Sequence, residues 1–175
     1  MNIRTTTPKD IDAVMTVIEE ARATIAALGI NQWQNGSPNR VMITEDMALG
    51  QGRVVTDDEG AVIGTFALIY TGEPTYKTVY DGGWRTSDLD ADGNIAYIAI
   101  HRVAISVAHR GSGISTAIIA YAEEFARILG KSSLRIDTHE GNVVVRRMLE
   151  KHGFLPCGTI FLQNGDPRVA YEKVI

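Results

Sequence analysis

Cysteine is nearly absent from the 175-residue sequence, which contains Cys157 alone. A single cysteine excludes an intramolecular disulfide and a metal site built from several cysteines, and we predict no metal. Such low cysteine usage is typical of a reducing compartment, so we expect a cytoplasmic protein. Long apolar runs are also lacking, because the stretch 61–70 has about half the length of a membrane span. We therefore predict no membrane partner.

An excess of positive charge is missing as well. The chain has 17 Lys and Arg against 21 Asp and Glu, which gives a net charge of −4. This balance disfavours non-specific nucleic-acid binding, so no DNA partner is predicted. Negative charge concentrated at a site would favour a cationic small molecule. The 45% hydrophobic and 22% charged residues are ordinary for a globular protein. The length suits a single domain over 1–175.

Hydrophobic periodicity predicts a mixture of strands and helices. Predicted strands cover 2–5, 53–56, 61–70, 95–107, 133–137, 159–163 and 168–174. Predicted helices cover 7–28, 37–49, 114–129 and 142–152. A strand, a helix and a strand follow one another over 95–137, which requires a parallel crossover. The other adjacent strands form hairpins. We therefore predict a three-layer α/β fold with a mixed, mostly antiparallel sheet. The loop 71–94 is long enough to be functional or mobile.

A basic turn that contains glycines joins the longest predicted strand to the next helix, at Arg110-Gly111-Ser112-Gly113. The first turn of a helix has unpaired backbone N–H groups and the positive end of the helix dipole. Glycine lacks the Cβ atom that would block a ligand, and Arg110 adds a positive charge. These features suit a pyrophosphate. The glycines are equally compatible with a purely structural turn. Neither a Walker motif nor a complete dinucleotide fingerprint is present.

Two blocks resemble the GNAT superfamily of acyl-CoA-dependent N-acyltransferases. The spacing Arg110-x-x-Gly113-x-Ser115 is similar to the family motif Gln/Arg-x-x-Gly-x-Gly/Ala. Asn142 followed by 148–154 looks like the family's Asn…Leu-Tyr-x-x-x-Gly-Phe segment. The resemblance implies a sheet that splays at its central parallel pair. It also implies direct acetyl transfer from acetyl-CoA to a primary amine of a small molecule or peptide, in a ternary complex.

The resemblance places acetyl-CoA on named residues. The segment Val103, Ala104 and Ile105 would pair its backbone with the pantetheine arm, which binds like an added strand. The pyrophosphate would be held by backbone N–H groups in the turn. These belong to Arg110, Gly111, Ser112, Gly113, Ile114 and Ser115. Asn142 would contact the pantetheine or the acetyl end.

The chain departs from the family pattern at Leu149, where many members have a tyrosine that protonates the leaving thiolate. Leucine cannot donate a proton, so a non-catalytic acyl-CoA-binding domain, a sensor or a docking module, is the alternative. Candidate bases are His101 and Tyr97 on the long strand and His139 after the next strand. His101 is also compatible with a structural hydrogen-bonded role, and His139 with an exposed loop position.

Aromatic residues offer a substrate pocket. Trp33, Tyr80 and Trp84 would line it by cation–π contact with an amine, or would simply anchor the loop to the core. Cys157 is expected to be a small buried residue and not a nucleophile. A generic nucleotide-binding domain and a toxin or ribosomal acetyltransferase are further alternatives. The C-terminal hairpin would supply an edge for a possible homodimer.

Overall fold

The computed structural model describes all 175 residues and contains seven strands and four helices. The strands are β1 Asn2–Thr5, β2 Gly52–Thr56, β3 Val62–Ile69, β4 Tyr97–Ile105, β5 Ser133–Thr138, β6 Leu155–Phe161 and β7 Pro167–Val174. The helices are α1 Ile11–Ala27, α2 Arg40–Ala48, α3 Ile114–Ile128 and α4 Val143–Lys151. Short 3-10 turns occur at Pro8–Asp10, Pro74–Tyr76 and Val107–His109. No helix is both long enough and apolar enough to cross a membrane.

The strands form one sheet in the order β1-β2-β3-β4-β5-β7-β6. β4 and β5 are parallel, whereas β1–β2, β2–β3, β5–β7 and β6–β7 are antiparallel. This confirms the predicted α/β fold with a mixed, mostly antiparallel sheet. The parallel pairing is short, because it runs only from Tyr97–Ser133 to Ala99–Arg135. Both strands continue beyond it, which agrees with the predicted splay of the central pair.

Tertiary contacts divide the chain into two compact units. The first unit comprises Met1–Leu68 and His101–Ile118, and the second comprises Ile69–Ile100 and Ile119–Ile175. β4 and α3 each contribute residues to both units. The single domain over 1–175 stays a prediction.

The core of the first unit is built on the apolar face of α1. Residues at three- and four-residue spacing on that helix are buried, as the periodicity predicts. They pack against α2, β2 and β4. The cluster comprises Ile11, Val14, Val17, Ile18 and Ala21 from α1 with Ile43, Val54 and Ala104.

The second unit contains the long loop, which lies against β6 through backbone hydrogen bonds. Tyr80 and Thr159 exchange N–H to carbonyl bonds of 2.8 and 2.9 Å. A Cβ atom on Gly82 would lie 2.1 Å from the carbonyl oxygen of Cys157. A Cβ atom on Gly158 would lie 2.4 Å from the Tyr80 carbonyl oxygen. Only glycines allow the two backbones to come this close.

The starts of β6 and α2 differ from the sequence predictions by several residues. β6 begins at Leu155 and not at 159, because Pro156 and a register shift between Pro156 and Gly158 obscure the strand pattern. Proline is tolerated there because it lies at a bulge of an edge strand. α2 begins at Arg40, because the side chain of Asn39 caps it by accepting the Met42 N–H at 3.1 Å.

Candidate functional site

The turn that precedes α3 has a left-handed backbone conformation at both of its glycines. Gly111 and Gly113 have φ angles of +77° and +86°, in the left-handed region that favours glycine. A Cβ atom added to either glycine would meet nothing within 4 Å. The space beside these two residues is therefore open. We refer to residues 110–115 as the glycine turn.

The glycine turn also presents backbone donors. The N–H of Ala117 donates to the Gly113 carbonyl at 3.1 Å, which is the first hydrogen bond of α3. The N–H groups of Ile114 and Ser115 precede that bond and lie at the positive end of the helix. The Arg110 N–H, which was predicted to hold the pyrophosphate, instead donates to the Val107 carbonyl at 3.4 Å. Ile114 is buried and fixes the start of the helix in the core. The arrangement can receive an anion without a large positive net charge.

Residues of α1 brace this region. Arg110 is exposed, makes no salt bridge, and donates from Nη2 to the Thr24 hydroxyl at 2.7 Å. The Val107 N–H donates to a carboxylate oxygen of Glu20 at 2.8 Å. Ser112 donates its hydroxyl to the His109 carbonyl. Because a neutral hydroxyl is its partner, Arg110 keeps its charge available to a ligand.

The end of β4 directs alternate backbone groups to opposite sides. The Ser106 N–H donates to the Ile63 carbonyl of β3 at 2.9 Å. By strand alternation Ala104 faces β3 as well, whereas the N–H and C=O groups of Val103 and Ile105 point away from β3. Val103 and Ile105 thus have the orientation that strand-like pairing with a ligand requires. The backbone of Ala104 does not.

In the second unit, Arg135 of β5 is fully buried, and all three of its side-chain nitrogens donate hydrogen bonds. Its Nε donates to Oε1 of Glu172 at 3.0 Å, and its Nη2 donates to the Thr86 carbonyl at 2.8 Å. Nη1 forms an ion pair with Asp88. Glu172 is also fully buried and accepts the hydroxyls of Thr86 and Ser133 at 2.6 and 2.7 Å. This network ties the long loop to β5 and β7.

Two rings enclose the same guanidinium. Its carbon lies 4.4 Å from the centroid of Trp84 and 4.1 Å from that of Tyr97. The cation on Trp84 is therefore the chain's own Arg135, which supports the loop-anchoring interpretation of that tryptophan. We call Arg135, Glu172, Asp88, Thr86, Trp84 and Tyr97 the Arg135 cluster.

Tyr97, a predicted base, is constrained in this cluster. Its hydroxyl oxygen accepts the Glu73 N–H at 2.9 Å. Burial raises the pKa of Tyr97, so the phenol keeps its proton at neutral pH. This opposes a role as the base.

Asp137 is a candidate that the sequence reasoning missed. It lies near the end of β5, half-buried, and accepts the hydroxyl of Tyr76 at 2.8 Å. Tyr76 is fully buried, and burial together with the charge of Asp137 raises its pKa well above 10.0, so it remains a donor. The available signal was an acid at the carboxyl end of a parallel strand, where ligands tend to bind.

The two histidines lie in different units. His139 is half-buried in the second unit, and its Nδ1 accepts the Gly141 N–H at 3.0 Å. His101 is half-buried on β4 in the first unit, and its proximity acts to lower the pKa of Asp46 on α2. Each histidine thus combines a structural interaction with partial exposure.

The α4 block has a structural role in the second unit. Asn142 is buried and caps α4 by accepting the Val145 N–H at 3.4 Å. Leu149 is fully buried in the core. The predicted contact of Asn142 with acetyl-CoA stays a prediction.

The remaining aromatic candidates also belong to different units. Trp33, with a φ of +65°, packs against the core of the first unit. Tyr80, in the second unit, is 52% exposed and meets the ring of Phe161 edge-on at 5.2 Å. Its backbone pairing with Thr159 occupies part of the β6 edge, which leaves less of that edge for the predicted homodimer. Burial raises the pKa of Cys157, which opposes a nucleophilic role.

A model of the acetyltransferase (GNAT) family matches residues 23–154. The chain belongs to the GNAT acetyltransferase family. Family membership indicates acyl transfer from acyl-CoA, with acetyl-CoA as the co-substrate. No curated protein matches the chain. No group of three or more His, Cys, Asp or Glu side chains is arranged to hold a metal ion in this GNAT protein.

Solved structures agree with this assignment. A GNAT-family acetyltransferase from Streptococcus agalactiae is 36% identical over 99% of this chain and 95% of its own, with a TM-score of 0.81. A GNAT-family acetyltransferase from Listeria monocytogenes is 19% identical over 99% and 94%, with a TM-score of 0.75. A ribosomal-protein-alanine N-acetyltransferase from Brucella melitensis is 19% identical over 100% of both chains, with a TM-score of 0.66. The last two likenesses concern the fold alone.

Proposed function

We propose that this protein transfers the acetyl group of acetyl-CoA to a primary amine of a small molecule or peptide. The amine nitrogen forms a bond to the acetyl carbon while the carbon–sulfur bond breaks. The sulfur leaves as the CoA thiolate, which takes up a proton, and the attacking nitrogen loses one. The observation that carries the proposal is the glycine turn, with open space beside Gly111 and Gly113.

The anionic end of acetyl-CoA fits the glycine turn. Its pyrophosphate oxygens would accept hydrogen bonds from N–H groups of residues 111–115, and the side chain of Arg110 would add a positive charge. Alanine in place of either glycine would fill part of this space. The outward N–H and C=O groups of Val103 and Ile105 would pair with the amides of the pantetheine arm.

The proton transfers have several candidate groups. His101 and His139 remain candidates for the base, and Asp137 joins them because its carboxylate lies near the end of β5 beside a hydroxyl donor. Tyr97 is the weakest candidate, since its pKa is raised by burial. Leu149 cannot protonate the leaving thiolate, and no other residue is assigned as the acid. A CoA thiolate leaves readily enough for the reaction to proceed without one.

One observation favours a second function, a non-catalytic acyl-CoA-binding domain. Leu149 is fully buried and replaces the tyrosine that many family members use. In this alternative the glycine turn still binds CoA, but no amine is acetylated. The two functions share a binding step and differ only in chemistry.

Calorimetry with acetyl-CoA, followed by thiol release across a panel of amines, tests both steps. We expect binding at micromolar ligand and thiol release that depends on the amine. Arg110→Glu should weaken acetyl-CoA binding more than it changes folding. Asp137→Asn should slow thiol release with little change in acetyl-CoA affinity. Absence of binding at high micromolar ligand would refute the proposal, and binding without thiol release would favour the non-catalytic alternative.

A further inference from the structure

Arg102 occupies an unusual position in the middle of β4. Its φ angle is +56°, in the left-handed region that residues other than glycine rarely adopt, and β-strands do not normally contain such a residue. The parts of β4 before and after Arg102 differ in the direction of their backbone hydrogen-bonding groups. Tyr97–Ala99 pair with β5, whereas the backbone groups of Val103 and Ile105 point away from β3.

A partly buried ion pair holds the side chain of this residue. Nη2 of Arg102 donates to Oδ1 of Asp46 on α2 at 2.8 Å. The two side chains are 18% and 6% exposed. Burial raises the pKa of Asp46, and the positive charge of Arg102 opposes that rise. Removing either partner would leave the other charge unpaired in a largely buried position, so the pair favours the backbone conformation in which the two side chains meet.

The bend decides which way the following residues face. An irregular residue in a strand reverses the alternation of the residues after it. Ser106 bonds to β3, which places Ala104 on the same side and Val103 and Ile105 on the other. If Arg102 relaxed to an extended conformation, this alternation would shift by one residue. The backbone of Val103 and Ile105 would then face β3.

We propose that Asp46 and Arg102 are positioning residues for acetyl-CoA. Their ion pair holds the left-handed bend of β4 and so orients the backbone of Val103 and Ile105 toward the pantetheine arm. The inference rests on the proposed function, because it assigns the pantetheine arm to that backbone. Neither side chain is given a chemical role in the transfer.

The test uses substitutions that separate backbone conformation from charge. Arg102→Ala loses the ion pair and keeps the strain of a positive φ, whereas Arg102→Gly loses the ion pair and removes the strain. We expect Arg102→Ala and Asp46→Asn to raise the KM for acetyl-CoA about tenfold, which is about 1.4 kcal/mol, with a smaller change in kcat. Arg102→Gly should recover most of the wild-type KM.

Arg40→Ala is the matched control. Arg40 also lies on α2 and forms an ion pair with Asp12, but both side chains are exposed. Exposed pairs contribute little, so the KM for acetyl-CoA should stay unchanged. If Arg102→Ala and Asp46→Asn do not fold, the double variant Asp46→Asn with Arg102→Gly, which contains neither charge, replaces them. Its KM should stay within about threefold of the wild type.

Amide hydrogen exchange gives a readout independent of activity. Exchange at Val103 and Ile105 should slow in Arg102→Ala, because their N–H groups would then face β3, and it should stay near wild type in Arg102→Gly. Equal KM values and equal exchange in wild type and Arg102→Ala would overturn the inference. Equal losses in Arg102→Ala and Arg102→Gly would also overturn it, because the guanidinium itself would then be what acts. Failure of the wild-type protein to bind acetyl-CoA would instead refute the proposed function and this inference with it.

Discussion

Two arginines of this chain illustrate the difference between a proposed binding site and a structural scaffold. Arg110 is exposed, and its hydrogen-bond partner is the neutral hydroxyl of Thr24. Arg135 is fully buried between two aromatic rings and bonds to two carboxylates and a carbonyl. A guanidinium whose charge is already neutralised cannot attract a ligand, whereas an exposed one beside open space can.

The surroundings of the two arginines differ in the same way. Beside Arg110 the two glycines leave space into which a Cβ atom could extend freely. In the loop that the Arg135 cluster holds, a Cβ atom on Gly82 would lie 2.1 Å from a backbone oxygen. In the glycine turn, the lack of side chains on the two glycines leaves room for a bound molecule. At Gly82, the lack of a side chain allows the backbone of the long loop to contact the backbone of β6.

The largest expected effect comes from removing the buried arginine. Arg135→Met should lower the free energy of unfolding by about 3–5 kcal/mol, because Glu172 would remain buried with an unpaired charge. Arg110→Met, at an exposed position, should change it by no more than about 0.5 kcal/mol. Equilibrium unfolding in urea measures both. If Arg135→Met were as stable as Arg110→Met, the Arg135 cluster would not have the stabilising role assigned to it.

A smaller effect should appear in ligand binding at the glycine turn. Gly113→Ala places a Cβ atom in the open space and strains a backbone with a φ of +86°. We expect acetyl-CoA affinity to fall at least tenfold, or about 1.4 kcal/mol. Calorimetry measures the affinity, and urea unfolding should show a loss of roughly 1 kcal/mol from the strain.

Gly60→Ala is the control for that strain. Gly60 lies in the β2–β3 turn with a φ of +88°, and a Cβ atom there also meets nothing within 4 Å. It should reproduce the loss of stability without the loss of affinity. Similar affinity losses in both variants would show that strain alone weakens binding, and the glycine turn would lose its special status.

The sequence predicts the two regions unequally, for a physical reason. The residues of the glycine turn are adjacent in the chain, so their spacing alone indicates a strand, a turn and a helix that can bind an anion. The Arg135 cluster joins residues that are up to 88 positions apart, from Trp84 to Glu172. Alternation along β5 places Arg135 and Asp137 on the polar face, and nothing local indicates that a loop covers it. Asp137 was missed for that reason.

The bend at Arg102 lies between these two cases. Apolar residues occupy both parities of the long strand, a pattern typical of a strand whose alternation is interrupted, and a φ of +56° agrees with an irregularity there. The partner Asp46 was not predictable, because α2 and β4 are far apart in the chain. Local pattern indicates where a strand bends, whereas tertiary packing determines what holds the bend.

The smallest expected effect concerns the loss of folding stability at low pH, part of which we attribute to Glu172 in the Arg135 cluster. Burial alone would raise the pKa of Glu172, but hydrogen bonds from Thr86, Ser133, the Arg85 N–H and Arg135 outweigh it and lower the pKa. A carboxyl group with a lowered pKa in the folded state stabilises the fold above the unfolded value of about 4.3. That contribution disappears as the pH falls through the lower folded value.

The urea midpoint should therefore decrease below about pH 4.3, and less steeply in Glu172→Gln than in the wild type. Glu172→Gln should also be less stable at neutral pH, since it weakens the pairing of Arg135. Some slope should remain in this variant, because Arg4 and Thr7 hold the pKa of Asp10 below its ordinary value. Glu59→Gln, at an exposed turn, should keep the wild-type slope. Identical slopes in Glu172→Gln and the wild type would show that the Arg135 cluster does not contribute to acid unfolding.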